Sequence, residues 1–566
     1  MSSSDIHAAA VCVTEARLHR SSEGGRDLEK EREEAAKSSP SFADDPLNTP
    51  VSSGTICKST PDPAFCKSVL PNNHTANVYD YGRFSVHKSL SQSYKFLKLV
   101  DKYLGHSSTL SRTAILALKD CHSLAELNIN FLSSSFDTVS NTNGTLSSSK
   151  AEDIQTLLSA ILTNQDTCLD GLKATASAWS VKKGLSVPLS NDTKLYSVSL
   201  ALFTQGWVPR KKNGKTWHPK KKHINKSVIY ESISRRKLIH IGKDEQVLVR
   251  EMVVVNKNGG GNFTNINDAI NAAPNNSAAS DGYFLIYVTA GVYQEYLSIA
   301  TNKPYLLMIG DGINQTIITG KRSVVDGWTT MSSATFTVRG QGFMAMNITF
   351  RNTAGAIKQQ AVAVLNMADL STFFSCSVEA YQDTLYAHSL RQFYRDCDIY
   401  GTVDFIFGNA AAVFQNNNFY ARLPMKGQFN PITAQGRTDP NQNTGISIHN
   451  CTIRAADDLA SSNFPVKTYL GRPWKQYSRT VYVQSFMNSL VEPAGWHDWN
   501  GDFGLDTLYY AEYNNRGPGS NTTKRVSWPG YHVINATDAA NFTVSNFLLG
   551  DHWLPQTGVP YNGGLI

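Results

Sequence analysis

Apolar residues in the first part of the chain recur every three to four positions. Ile115, Leu118, Cys121, Leu124, Ala125, Phe131 and Leu132 trace one such stripe, and Ile154, Leu157, Leu158, Ile161 and Cys168 trace another. This is the period of a helix that buries one face. A further amphipathic stretch covers residues 84–104, so residues 51–205 are expected to form an all-α helical bundle. Beyond about residue 250 the chain becomes a succession of short β-rich segments punctuated by Gly, Asn and Thr. Strands are predicted over 252–255, 284–288, 336–338, 347–350, 361–365 and 402–407. Asn347-Ile, Ser377-Val, Asp398-Ile and Asn418-Phe fall at intervals of 30, 21 and 20, about one coil of a solenoid each. A right-handed parallel β-helix is the expected fold, with a helix over 266–273 capping its open end. A β-propeller is the alternative, but its blades need about 40–50 residues.

One unit of this repeat occurs twice with chemistry attached. Cys376-Ser-Val-Glu-Ala-Tyr-Gln-Asp383 and Cys397-Asp-Ile-Tyr-Gly-Thr-Val-Asp404 place each aspartate seven positions after its cysteine, 21 residues apart. Stacked strands lie about 4.8 Å apart and disulfide Cα atoms about 4.4–6.8 Å, so a Cys376–Cys397 bond is expected. The same stacking sets Asp383 and Asp404 face to face. Two carboxylates so close cannot both ionise without cost, which separates a protonated acid from an ionised nucleophile or base. Arg472, in Leu470-Gly-Arg-Pro-Trp474, is the cation to hold one aspartate ionised. Gln360 and Gln382 are uncharged amides able to donate to a developing oxyanion. Trp474 and Tyr386 are aromatics of the kind sugar rings stack against. Each residue taken alone also has a structural reading: Asp in turns, Gln in amide ladders, aromatics in packing.

Composition narrows the class. The chain of 566 residues exceeds one ordinary domain, and its formal charge of +7 suits a polyanionic partner. No apolar run is long enough to span a membrane. The cysteines pair by spacing as Cys57/Cys66 and Cys121/Cys168 beside Cys376/Cys397, leaving Cys12 and Cys451. With acceptor sequons at Asn143, Asn191, Asn225, Asn262, Asn314 and Asn535, this favours an oxidising secretory route. Residues 1–50 are polar and charged, read as a disordered lead without the apolar core of a signal peptide. Residues 206–249 read as a basic linker. It carries Arg210-Lys-Lys212 and Lys220-Lys-Lys-His223, then Arg235, Arg236, Lys237 and Leu238 as a dibasic processing site. Gly259–Gly261 lacks the Lys-Ser/Thr of a phosphate loop and reads as a turn.

The blocks Tyr381-Gln-Asp-Thr-Leu-Tyr386, Gly401-Thr-Val-Asp-Phe-Ile-Phe-Gly408, Leu470-Gly-Arg-Pro-Trp474 and Gly291-Val-Tyr-Gln-Glu295 closely resemble the plant pectin methylesterase family. Gly310-Asp-Gly312 and Thr433-Ala-Gln-Gly-Arg-Thr-Asp439 extend the resemblance over about 250–556. Leu158-Ser-Ala-Ile-Leu-Thr-Asn-Gln-Asp-Thr-Cys-Leu-Asp170 is similar to the pectin methylesterase/invertase inhibitor domain, a four-helix bundle with a helical hairpin extension. The resemblance implies an inhibitor domain over 51–205, a processing linker over 206–249, a catalytic β-helix over 250–556 and a C-terminal tail over 557–566.

It implies roles as well. Asp404 is the nucleophile on the methyl-ester carbonyl of homogalacturonan, and Asp383 the proton donor and later base. Gln382 and Gln360 stabilise the oxyanion, and Arg472 orients Asp404. Thr330, Gln360, Tyr386, Phe407, Arg472 and Trp474 line the sugar cleft. No cofactor or metal is implied, and no nucleic acid partner. The expected partners are methylated pectin, proteinaceous pectinesterase inhibitors and a subtilisin-like processing protease, for a monomer secreted to the cell wall. Three departures stand out: Gln359 replaces a frequent His, Asn417 replaces a frequent Cys, leaving Cys451 a free thiol, and no signal peptide is read at the start of the sequence.

The nearest rivals on the same scaffold are a pectate lyase, which needs a calcium cluster, and a polygalacturonase, whose carboxylates stand about 6.5–9.5 Å apart if inverting. A non-enzymatic reading makes the chain a catalytically degenerate inhibitor or binding protein.

Overall fold

The computed structural model describes residues 46–72, 75–106, 108, 110–175, 179–209 and 247–566. Cys12, the basic linker and its processing residues Arg235, Arg236, Lys237 and Leu238 lie outside the described residues. Residues 1–49, described only from a short turn at Pro46–Asn48, and residues Pro50–Ile566 are separate units.

After a single helical turn at Ser53–Ile56, that larger unit forms a short helix α1 (Pro63–Val69), tied to the turn before it by Cys57–Cys66, followed by four long helices. These are α2 (Val78–Gly105), α3 (Arg112–Ser140), α4 (Ser148–Ala174) and α5 (Trp179–Gly206). Caps set where they begin. Asn77 and Asp80 form a reciprocal capping box on α2, Ser111 caps α3 and Ser147 caps α4. The periodic residues face inward as expected: Leu118, Leu124, Leu132, Ile154, Leu158 and Ile161 are all nearly inaccessible. Cys121–Cys168 joins α3 to α4 with Cα atoms 4.7 Å apart. No described helix is long and apolar enough to cross a membrane.

From Val249 the chain winds into a solenoid of three sheets with eleven, eight and seven strands, every pairing parallel. Each sheet adds one strand per coil. The interior is a continuous apolar column in which Phe373, Tyr394 and Phe414 stack ring on ring at 5.3 and 4.5 Å. Helix α6 (Ile266–Ala272) covers the first coil with Ile266, Ala269 and Ile270, and Glu295 accepts from its first amides. At the other end of the chain, Phe542, Val544, Phe547, Leu548, Trp553, Leu554 and Val559 pack on the outer face of the eleven-stranded sheet. Residues 557–566 continue along it, where Asn562 N–H donates to Gln415 and Ile566 N–H to Gln484.

The register confirms the coil period and corrects one end of it. Ser377 pairs with Asp398, and Asp398 with Asn418, at the predicted spacings. The coil before starts its strand at Thr349, not Asn347. Asn347 occupies the left-handed region (φ 57°), as do Ser375, Asp396, Asn416 and Asn450 at the matching corner of later coils. Asn and Asp tolerate that region better than other side chains, which is why they punctuate the strands.

The expected Cys376–Cys397 disulfide is not formed: both residues, and Cys451, are buried thiols. The two cysteines do sit on successive coils just before paired Ser377 and Asp398. In-register parallel stacking, however, aims equivalent Cβ atoms the same way about 4.8 Å apart, whereas a disulfide needs about 3.8 Å. The thiols instead donate to carbonyls, Cys376 to Phe374 and Cys397 to Phe373 and Arg395. Asn417 is next in the column, accepting from Cys397 N–H at 2.6 Å and donating to Tyr394 O at 2.9 Å. It stands between Cys397 and Cys451.

Candidate active site

Asp383 and Asp404 each precede a strand of the seven-stranded sheet by two residues. Leu385 pairs with Ile406 and Tyr386 with Phe407, so the 21-residue spacing is one turn of the coil. Both aspartates adopt positive φ, 62° and 52°. The predicted strand over 402–407 is therefore broken: strand runs to Gly401 and resumes at Ile406, with Asp404 in the turn. Its two flanking glycines are forced. A Cβ on Gly401 would lie 2.1 Å from Phe405 Cβ, and one on Gly408 (φ 125°) would lie 2.1 Å from Ala387 O. We expect Gly408→Ala to cost about 3 kcal/mol or more of stability, read as a lower melting temperature.

Arg472 emerges from the strand Thr468–Gly471 and grips Asp404 with both arms. Its Nε donates to Oδ1 at 2.8 Å and its Nη2 to Oδ2 at 2.6 Å. The guanidinium is backed by Trp499 at 4.3 Å and Phe429 at 5.7 Å. Asp383 has no such partner; its carboxyl makes no hydrogen bond to a described residue. Burial, reinforced by the negative charge of Asp404, pushes Asp383 far above the usual carboxylate range. Burial raises Asp404 as well, but the hydrogen bonds and charge of Arg472 pull it back. Asp404 in turn holds Arg472 charged, above its ordinary value despite burial. Of the two aspartates, Asp383 keeps a proton to higher pH.

Gln360, Gln382, Asp383, Asp404 and Arg472 line one cavity of about 780 Å³ together with Thr330, Tyr386, Phe407 and Trp474. All the residues singled out for catalysis and sugar binding thus meet in one place. Gln360 Oε1 is buried with no hydrogen-bond partner among the described residues. Tyr386 stacks on Phe407 at 4.1 Å, with Trp474 edge-on to both.

The other wall of this cavity is helical. Asp120 of α3 and Thr167, Asp170, Gly171 and Lys173 of α4 line it. Asp120 accepts hydrogen bonds from Thr329 and, at 2.8 Å, Ser332, and burial lifts its pKa to about 6. The Thr167 hydroxyl lies 3.3 Å from Tyr386 Oη and 2.9 Å from His388 Nε2. Lys475 Nζ is 2.7 Å from both Asp166 and Asp170. Further out, Arg391 bonds Asp153 at 2.8 Å and Gln442 donates to Ser159 O. Bundle and cleft share one apolar cluster that runs from Leu118 and Leu124 to Met331, Leu365 and Phe407. Sequence reasoning missed Asp120, Asp166, Thr167, Lys475 and Trp499. Asp166, Thr167 and Asp170 belong to the inhibitor-like motif, and Lys475 adjoins Trp474, but no spacing rule links those segments.

Parallel coils carrying a buried aspartate pair, one member clamped by arginine, beneath a docked four-helix domain, define a parallel β-helix protein with a helical domain over its candidate site. Residues 252–551 match the Pectinesterase family model and residues 53–202 match the plant invertase/pectin methylesterase inhibitor model, and the chain belongs to the pectinesterase family, carboxylic ester hydrolases, with an inhibitor-like domain. It is similar to probable pectinesterase/pectinesterase inhibitor 41 of Arabidopsis thaliana, 61% identical over 91% of this chain and 95% of that relative. Pectinesterase 2 of Citrus sinensis is 44% identical over 90% of this chain and 94% of its own length. Among solved structures, pectin methylesterase from carrot superposes with TM-score 0.54 and 50% identity. The match covers 55% of this chain and 98% of the carrot protein, the length of the β-helix half alone. These matches favour the esterase over the lyase and polygalacturonase alternatives.

Proposed function

We propose that the protein removes methyl esters from homogalacturonan through an aspartyl acyl-enzyme, and that its helical domain masks the site until it is released. Asp404 attacks the C6 carbonyl, and the oxyanion is met by the amides of Gln360 and Gln382. As the tetrahedral intermediate collapses, Asp383 gives its proton to the departing methoxide, leaving methanol and an anhydride on Asp404. Asp383, now ionised, takes a proton from water, which attacks the anhydride carbonyl and frees the uronate and Asp404. Tyr386, Phe407 and Trp474 offer rings for the sugar chain, and Thr330 a hydroxyl.

The observation that carries this reading is the asymmetry of the pair: Arg472 binds both oxygens of Asp404 and none of Asp383. Masking is supported by α3 and α4 forming a wall of the cavity. Cleavage at Arg235–Leu238 by a subtilisin-like protease, delivery to the cell wall, attraction of a chain of net charge +7 to freed carboxylates, regulation by separate inhibitor proteins and a monomeric state complete the proposal.

The test is methanol release from highly methylated pectin by the 247–566 half beside the full chain. The half is expected to be active and the intact chain at least tenfold slower. Equal rates would sink masking, and an inactive, folded half would move the reading to a degenerate binding protein.

A further inference from the structure

Lys475 is a cation of the β-helix whose carboxylate partners, among the described residues, both come from the helical domain. Its Nζ lies 2.7 Å from Asp166 and 2.7 Å from Asp170, and 5.1 Å from the ring centre of Trp474. It lines the same cavity as Asp383, Asp404 and Gln360. The other cation that the β-helix brings to that lining, Arg472, is already held by Asp404. When α4 leaves, an ammonium beside an indole ring loses these two counter-ions. A charge so placed favours an anion that can follow it into the cleft.

The occupant present in the full chain shows what the site accepts. Asp166, Thr167 and Asp170 lie on one turn of α4, and the carboxylates of Asp166 and Asp170 converge on one ammonium. Both carboxylates meet Lys475, while the Thr167 hydroxyl meets Tyr386 and His388. Carboxylate on this ammonium and a hydroxyl on the neighbouring Tyr386 and His388 are groups that a de-esterified uronate also carries. Resting on the esterase reading above, we infer that Lys475 is a specificity-determining residue that binds the free carboxylate of an already demethylated galacturonate near the ester being cleaved, and that Asp166 and Asp170 occupy this subsite in the intact chain. A product carboxylate held there places the enzyme beside the next ester on the same polymer, favouring runs of demethylation.

The experiment uses the 247–566 half, the length at which the carrot enzyme exists as a folded protein. The probe is a short, fully de-esterified oligogalacturonide, measured both by calorimetric binding and as an inhibitor of methanol release. Lys475→Met is expected to weaken binding tenfold or more, and Lys475→Arg to restore it to within about threefold. Wild-type binding should weaken with added salt. On partially de-esterified pectin, KM should rise several-fold in the Met variant. Lys475→Gln serves as a second neutral variant should Met not fold. A folded neutral variant that binds the oligogalacturonide as tightly as wild type overturns the subsite, whatever its esterase rate. A wild-type half that binds in a Lys475-dependent way yet releases no methanol leaves the subsite standing and overturns the esterase instead.

Discussion

Asp404→Asn in the 247–566 half is expected to lower methanol release by a factor on the order of 10⁴ to 10⁶, the loss that follows if Asp404 is the covalent nucleophile proposed above. The amide retains one carbonyl to accept from Arg472, so the guanidinium is not stranded. Asp404→Ala is less clean, because it leaves a buried cation unpaired at a cost of roughly 3 kcal/mol or more. Melting curves separate that loss of stability from loss of chemistry. Asp383→Asn removes the proposed acid and base: the amide can neither protonate methoxide nor activate water, so both half-reactions should slow and methanol release should fall. A folded Asp404→Asn variant retaining a tenth of wild-type activity would rule out attack by this residue.

Masking should depend on pH with a defined sign. In the docked state Asp120 holds its proton up to about pH 6, because burial between α3 and the 329–332 segment outweighs the hydrogen bonds from Thr329 and Ser332 and the charge of Arg339. Released into water, it ionises near the ordinary 3.8. The docked form therefore binds the proton more tightly. Docking is strongest below about pH 4 and weakens as pH rises through about 6, by roughly 3 kcal/mol for this group. Glu152, buried and raised in the same sense, adds to the trend. Asp166 is also raised by burial, against the opposing charge of Lys475. Linker-cleaved protein should hold its helical domain at pH 4.5 and shed it at pH 7, visible as co-elution or separation on a sizing column. Asp120→Asn keeps partners for Thr329 and Ser332 but cannot titrate, so its dissociation should vary less with pH. A dissociation constant independent of pH in the wild type would refute this account.

Some of these features were legible before any coordinates. The stripes through Leu118 and Ile154 and the recurrence of Ser377, Asp398 and Asn418 depend on local periods, which helices and stacked strands impose directly on sequence. The Asp383/Asp404 relation was readable for the same reason, since one coil of 21 residues returns the chain to its starting azimuth. The start of the Thr349 strand was not readable, because an asparagine in the left-handed region looks in sequence like the first residue of the strand it precedes. The disulfide expectation failed on direction: spacing places Cys376 over Cys397, but parallel stacking points their side chains alike.

The chain by itself thus determined the two architectures, the coil period and the pairing of the aspartates, all properties of residues near in sequence or separated by one repeat. Spacing left open which aspartate Arg472 would clamp, and only the family resemblance pointed to Asp404; that α4 would lay Asp166 and Asp170 on Lys475 was decided by the tertiary structure alone. Asp170 and Lys475 are 305 residues apart. No periodicity reaches across that distance; the contact exists because two independently patterned surfaces, one apolar cluster and one set of opposite charges, exclude water together.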